Sequence, residues 1–283
     1  MPVVKGQKTE SEKFAGAEAT YTIEAMMHDG KALQAGTSHY FGDGFAKAFG
    51  VTFQGRDNSI SHPFQTSWGL STRIIGGIIM THGDNDGLVL PPAVAPIQVV
   101  IVPVAQHKPG VLEKAHELEA RLKGRFRVKV DDSDQSPGWK FAQYEMKGVP
   151  LRLEIGPKDI EKDQCVLVRR TDRQKLFTPL AGMEDAVAEQ LGEVRGQMYA
   201  RALERREGMT YTAKTLSEMK EIADAKPGLV KAMWCGDAAC EAKIKEDAGL
   251  SSRCIPFEQE RVSDVCACCG KPADKMVYWG KAY

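Results

Sequence analysis

No stretch of this sequence is apolar over anything like the roughly 18 residues that a membrane-spanning helix needs. The nearest candidate, Val99 to Ala105, is strand-sized and contains Pro103. The N-terminal segment has no hydrophobic core of the signal-peptide kind. Net charge is missing too, because 38 basic side chains offset 38 acidic ones. Whole-chain charge therefore argues neither for nor against nucleic acid, and any phosphate-binding surface has to come from local clustering. There is no internal repeat and no low-complexity tract. The chain is expected to be soluble and cytosolic.

What is present is 283 residues, 42% of them hydrophobic. That is enough for two or three compact domains, each with its own core. The seven cysteines are an odd number and cluster late. In a cytosolic chain they read as metal ligands or buried thiols rather than disulfides.

Three regions differ in texture. Residues 1–92 are rich in glycine, serine and threonine. Thr20 to Ala25 alternates polar with apolar residues, Asp29-Gly30 is a hairpin signal, and Lys31 to Ser38 reads as the returning strand. Val51 to Phe53 and Gln65 to Leu70 read as further strands of an antiparallel meander. Residues 93–180 alternate strands with helices and predict a small α/β domain around a mixed sheet. Gln98 to Val104 has the near-continuous apolar character of a strand buried on both faces. Val111, Ala115, Leu118 and Leu122 fall at helical spacing. Phe126 to Val130 alternates as a strand. Ser136-Pro137 opens a helix that Gly148 closes. Leu151, Leu153 and Ile155 alternate again, and Cys165 to Val168 adds another strand. Residues 181–283 begin with a long helix, Met183 to Arg206, followed by a second near Leu216 to Ala225 and then the cysteines.

Between Trp68 and Pro92 a strand ends at Gly69, Ser71 or Thr72 can cap the next helix, and Arg73 sits in its first turn. An arginine beside free N–H groups at a helix start suits an anion. By spacing alone, a glycine-tolerant core helix with one surface arginine accounts for the same string. Gly42-Asp43-Gly44 does not make a dinucleotide fingerprint, since the third glycine is misplaced and no βαβ unit comes after it. Lys8, Glu10, Glu12 and Lys13 read as a solvated charged face. In the tail, Cys235 and Cys240 have four residues between them, and Cys266, Cys268 and Cys269 come later. Two short cysteine hairpins about 25 residues apart suit a tetrahedral structural zinc site.

The string WGLSTRIIGGIIMTHGDNDGLVLPP, Trp68 to Pro92, resembles motif 3 of class II aminoacyl-tRNA synthetases, in the form seen in prolyl-tRNA synthetases of the archaeal and eukaryotic type. VVKGQKTESEKFAGA, Val3 to Ala17, looks like that family's segment after motif 2. QAGTSHYFG, Gln34 to Gly42, looks like its substrate loop. The resemblance implies that Arg73 holds the ATP γ-phosphate with Ser71 beside the nucleotide. It implies that Gln34 and Thr37 contact ATP and its magnesium, and that His39 lines the proline pocket. Motifs 1 and 2 have no counterpart here, so the chain by itself is expected not to make prolyl-adenylate. The absent part of the sheet is expected to leave an unpaired edge and exposed apolar surface.

SPGWKFAQYEMKGVPLRLEIGPKDI, Ser136 to Ile160, resembles the anticodon-binding domain shared by class IIa synthetases, in the prolyl version. Carried over by position, Phe141 stacks on an anticodon base, and Glu145, Arg152, Lys158 and Asp159 read base edges. Carboxylates, guanidinium and aromatic rings are the groups that recognise splayed guanines. Two basic stretches, Arg121, Lys123, Arg125, Arg127 and Lys129, and Arg169, Arg170 and Arg173, are expected to face phosphates. In the tail the family's pattern points to Cys235, Cys240, Cys266 and Cys269 as zinc ligands, with Cys268 in reserve. Cys165 and Cys254 read as buried thiols. Four thiolates leave no open position, so the zinc is structural. In related enzymes the terminal tyrosine, here Tyr283, tucks back toward the catalytic domain.

The expected fold is α+β and α/β multidomain: part of a class II antiparallel sheet at 1–92, an α/β anticodon-binding domain at 93–180 and a small zinc-binding α+β domain at 181–283. The implied function is proline–tRNA ligation, with tRNA-Pro, L-proline and ATP as partners and a homodimer in the full-length enzyme. No membrane or DNA partner is expected. The alternative is a non-catalytic tRNA-binding module with a structural zinc site.

Overall fold

A computed structural model describes residues 1–283. The chain divides into two compact units, one of residues 1–77 with 203–283, the other of residues 78–202. The first and third regions of the sequence therefore contribute to one unit.

In the first unit, β1 (Val3–Gln7), β2 (Ala19–Met26) and β3 (Ala32–Gly42) form the meander expected from the sequence. Gly30 turns the β2–β3 hairpin at φ +77°, a left-handed conformation that suits glycine. The short helix α1 (Gly44–Ala48) and a small hairpin, β4 (Phe53–Gln54) with β5 (Ile60–Ser61), lead to β6 (Gln65–Gly69) and then α2 (Arg73–His82).

The second unit holds β7 (Val99–Pro103), α3 (Val111–Leu122), β8 (Val128–Val130), α4 (Pro137–Met146), β9 (Leu151–Ile155), α5 (Pro157–Glu161), β10 (Gln164–Arg169) and β11 (Lys175–Pro179). Its strand order is β11-β10-β9-β7-β8. β7 runs parallel to β8 and β9, and the remaining pairs are antiparallel. Val99, Ile101, Leu118, Leu122, Leu151 and Leu153 pack on one face, and Val100, Val102, Tyr144 and Val149 on the other. Each such side chain contributes about 1.5–3 kcal/mol on burial. Ser136 caps α4 by accepting the Trp139 N–H at 3.3 Å, Pro137 occupies its first turn, and Gly148 comes after it at φ +70°. The alternation in β9 is as expected, with Leu151, Leu153 and Ile155 in one core, and the strand is buried along its whole length because Arg152 and Glu154 pair with one another.

The long helix α6 (Met183–Gly208) begins in this second unit and ends in the first. There β12 (Thr210–Thr212), α7 (Leu216–Ala225), β13 (Leu229–Trp234), α8 (Ala238–Ala248), β14 (Ser251–Pro256) and β15 (Lys275–Gly280) complete the chain. They join the N-terminal strands in one eight-stranded sheet, order β12-β13-β15-β14-β1-β2-β3-β6. Trp279, Met276, Val277, Met219 and Ile244 centre its C-terminal core. The seam between β1 and β14 is short: Gly6 pairs with Pro256 and Gln7 with Ile255, and the Phe257 N–H donates to the Lys5 carbonyl. Gly6 is required there, since a Cβ would lie 2.2 Å from the Ile255 carbonyl oxygen. No helix is long and apolar enough to cross a membrane.

Candidate functional site

The residues singled out in the N-terminal strands share one face of the sheet. Gln34 lies opposite Glu24, Thr37 opposite Thr22, and His39 opposite Thr20, so the pleat sets all three on the same side. A β-bulge interrupts the register between Ile23 and Glu24, where an extra residue, Ala35, re-aims the remainder of β3. On the other flank of β3, Thr37 pairs with Gly69 of β6, from which Leu70 to Thr72 lead to Arg73. Arg73 is exposed in the first turn of α2, and its backbone N–H donates to the Ser71 hydroxyl at 3.3 Å. The His39 Nδ1 lies 3.0 Å from the Thr20 hydroxyl, and the Phe14 and Phe41 rings flank the imidazole at 5.0 and 5.8 Å.

On the same face lies a buried group that patterning did not show. Glu24 is 1% exposed. Its Oε1 accepts from Thr22 at 2.8 Å and pairs with Lys8 at 2.9 Å. Its Oε2 accepts from Arg253 Nη2 at 2.8 Å and Nε at 3.1 Å. Lys8 is thus buried and paired, a correction to its reading as part of a solvated face, whereas Lys13 and Glu10 do form a surface pair. Removing one partner of such a buried pair costs about 3–5 kcal/mol. Beside it, buried Glu241 accepts from Thr9 at 2.8 Å and Ser252 at 2.6 Å.

In the second unit three of the five anticodon candidates meet. Arg152 Nη1 donates to Glu145 at 2.9 Å and its Nε to Glu154 at 3.0 Å. Its guanidinium lies over the Phe141 ring, 3.9 Å from the centroid. Arg173 approaches Glu145, and Lys175 approaches Glu154, each at 3.6 Å. The result is an aromatic plane beside carboxylate acceptors and guanidinium donors, which is what base-edge reading requires. Lys158 is exposed in α5. Asp159 caps that helix by accepting the Gly156 N–H at 3.0 Å. Glu154 and Lys175 were not singled out in the sequence, because alternation does not show that Glu154 turns inward or that Lys175, exposed on β11, reaches toward it.

Most residues of the two basic stretches have partners within the chain, while Lys123, Arg125, Arg127, Lys129 and Arg173 remain exposed. Arg121 pairs with Glu184 and Arg125 with Asp185. Arg127 donates to the carbonyls of Pro92, Ala93 and Ala95, and Lys123 pairs with Glu119. Arg169 binds Asp172 and Gln190. Arg170 forms a two-bond fork on Asp84 at 2.6 and 2.7 Å, and Arg173 pairs with Asp86. The Arg170 hydrogen bonds hold the Asp84 carboxyl below the usual carboxylate range. Glu184, Asp185, Asp84 and Asp86 arrive from distant segments, whereas Glu119 and Asp172 are local partners.

The cysteine cluster sits in the first unit. Cys235 comes just after β13, Cys240 lies in the first turn of α8, and Cys266 and Cys269 lie in the turn before β15. Their four sulfurs lie within 4.8 Å of one another, with Cys235 to Cys240 and Cys235 to Cys269 each at 3.8 Å. A tetrahedral ion with bonds of about 2.3 Å to sulfur spaces its ligands by about 3.8 Å, so the donor set and spacing fit such an ion. Cys268 is outside the group. The Lys271 backbone N–H helps draw the Cys269 thiol down to about 7, toward the thiolate that binds metal. Cys165 and Cys254 are fully buried, and burial pushes both thiols up to about 12. Tyr283 donates its hydroxyl to Asp29 at 2.5 Å and its N–H to Ala32, both at the β2–β3 hairpin.

Residues 98–190 match the family model described as an anticodon binding domain, which sets the second unit in that class of tRNA-reading folds. Residues 216–283 match the model described as prolyl-tRNA synthetase, C-terminal. The chain belongs to the prolyl-tRNA synthetase family and corresponds to a C-terminal portion of its members. It is 63% identical over its whole length to the proline--tRNA ligase of Clostridium novyi (strain NT) and 61% identical to that of Ruminiclostridium cellulolyticum. It is 60% identical to proline--tRNA ligase 2 of Bacillus cereus. The chain spans 59–60% of the length of these relatives.

Proposed function

We propose that this chain serves in a cytoplasmic proline–tRNA ligase, an ATP-dependent enzyme that activates L-proline and transfers it to tRNA-Pro. The carrying observation is that similarity to proline--tRNA ligases runs unbroken over all 283 residues, including the strands bearing Gln34, Thr37, His39 and Arg73. In this reading Arg73 holds the ATP γ-phosphate with Ser71 beside the nucleotide. Gln34 and Thr37 contact the nucleotide and its magnesium, and His39, oriented by Thr20, lines the proline pocket. The carboxylate of proline attacks the α-phosphorus and pyrophosphate leaves. The tRNA terminal hydroxyl then attacks the carbonyl carbon of the adenylate, forming the prolyl ester as the acyl–phosphate bond breaks and AMP leaves, with the hydroxyl proton given up to solvent. Alignment and cationic stabilisation of developing charge carry both steps. Phe141 stacks on an anticodon base while Glu145, Arg152, Lys158 and Asp159 read edges. A zinc ion on Cys235, Cys240, Cys266 and Cys269 fixes the turn around them. The longer enzyme acts as a homodimer.

The test is paired. Filter binding with tRNA-Pro measures the anticodon role, and selective retention over a tRNA with another anticodon is expected. ATP–pyrophosphate exchange measures activation, and the chain alone is expected to show none. Failure to retain tRNA-Pro sinks the proposal. Binding without any contribution of Gln34, Thr37 or Arg73 to nucleotide affinity favours a second reading, a non-catalytic tRNA-binding module, which the exposed first turn of α2 leaves open.

A further inference from the structure

The eight-stranded sheet joins strands from the two ends of the chain where β1 meets β14, a short seam with two paired residues and the Phe257 N–H on the Lys5 carbonyl, and one of the paired residues, Pro256, has no N–H to donate. Side chains reinforce that seam: Thr9 bonds Glu241 and Ser252 across it, and a charged bridge spans three strands. Arg253, on β14, reaches over β1 to grip Glu24 on β2, and Lys8, just past β1, grips the other carboxylate oxygen. Three neighbouring strands are thereby tied at one carboxylate.

The place of that tie is informative. Glu24 lies directly opposite Gln34, on the edge of the bulge that shifts the β2–β3 register. Thr22, which donates to Glu24, lies opposite Thr37. A one-residue slip in a strand turns every side chain to the other face, and the step between Ile23 and Glu24 is where the β2–β3 register shifts by one residue. The plain alternative, a buried pair that merely adds stability, is weak, because apolar side chains of the same volume are usually as stabilising. In some proteins a buried polar or charged group specifies a register instead.

We propose that Arg253 is a positioning residue for the substrate-facing strands: by holding Glu24 it locks the β2–β3 bulge, and so fixes where Gln34 and Thr37 point. This rests on the reading that those two residues contact nucleotide. It makes the C-terminal strands part of the activation site without touching substrate.

Amide hydrogen exchange on the full chain, with and without Mg-ATP, tests this in Arg253→Met, Arg253→Lys and Glu24→Gln. In Arg253→Met the amides of residues 32–40 exchange about tenfold faster or more, those of 229–234 in the same sheet keep their rates, and Arg253→Lys restores residues 32–40 to within about threefold of the parent. Mg-ATP slows exchange at residues 32–40 in the parent and loses that effect in Arg253→Met. Unchanged exchange at 32–40, or an equal rise at 229–234, overturns the lock. If Arg253→Met does not fold, Glu24→Gln, which keeps shape and loses charge, is scored by the same two criteria. If the lock behaves as stated but Mg-ATP protects residues 32–40 in no variant including the parent, the nucleotide assignment fails, and the positioning role falls with it.

Discussion

Arg152 shows how one side chain gains meaning from its neighbours. Stacked on Phe141 and held by two carboxylates, it presents a guanidinium in a set orientation. Replacing it with lysine keeps the charge and removes the planar fork. Arg152→Lys is therefore expected to weaken tRNA-Pro retention by about 1–3 kcal/mol, read by filter binding at constant salt, while Arg73→Ala leaves that retention unchanged. Asp84 gives a prediction with a pH sign. Arg170 lowers its pKa in the folded chain, so its contribution is present above the ordinary carboxylate value and is lost as pH falls through the lowered one. Asp84→Asn should flatten the acid limb of unfolding below about pH 4 relative to the parent, and an unchanged limb would remove Asp84 from the account. Phe141, Glu145 and Arg152 were legible in the sequence because the resemblance supplied their positions. Glu154, Lys175 and the Lys8–Glu24–Arg253 group were not, because their partners lie on other strands, 229 residues away in the case of Glu24 and Arg253.

Helices and turns were the most legible elements. Ser136-Pro137 and Gly148 bracket α4 as the sequence indicates, since capping is local chemistry. Ser136→Ala should destabilise the second unit by about 1 kcal/mol, seen as a lowered melting temperature. The cysteine turns make a second prediction. Chelation, or Cys269→Ser, should abolish stoichiometric zinc and lower the melting temperature of the first unit, whereas Cys268→Ser should leave both in place. Elemental analysis with calorimetry checks this, and metal retention in Cys269→Ser would overturn the ligand set. With metal bound, Cys165 and Cys254 should stay silent to thiol reagents, because their raised pKa and burial leave no accessible thiolate. The alternation in β9 gave the strand, but not the burial of Arg152 and Glu154, since a strand between two layers can bury polar residues that satisfy one another.

Across the whole chain, the division into two units carries its own consequence. Residues 78–202 are contiguous, own a two-faced core and contain the anticodon match. Expressed alone they should unfold cooperatively, with native near-ultraviolet dichroism. The outer edge of the other sheet is β6, where Trp68 is 79% and Leu70 63% exposed, so Trp68→Lys should reduce self-association in light scattering. Composition, periodicity and caps by themselves determined that the chain has an antiparallel N-terminal meander, a mixed α/β middle and a thiolate-rich tail, because those signals are written within a few residues of each element. Only the tertiary structure decided that the first and last parts share one sheet, that Lys8 is buried rather than solvated, and that the basic stretches are mostly spent on acidic partners and backbone carbonyls. Strand order and charge pairing depend on which distant segments meet, and no local pattern encodes that.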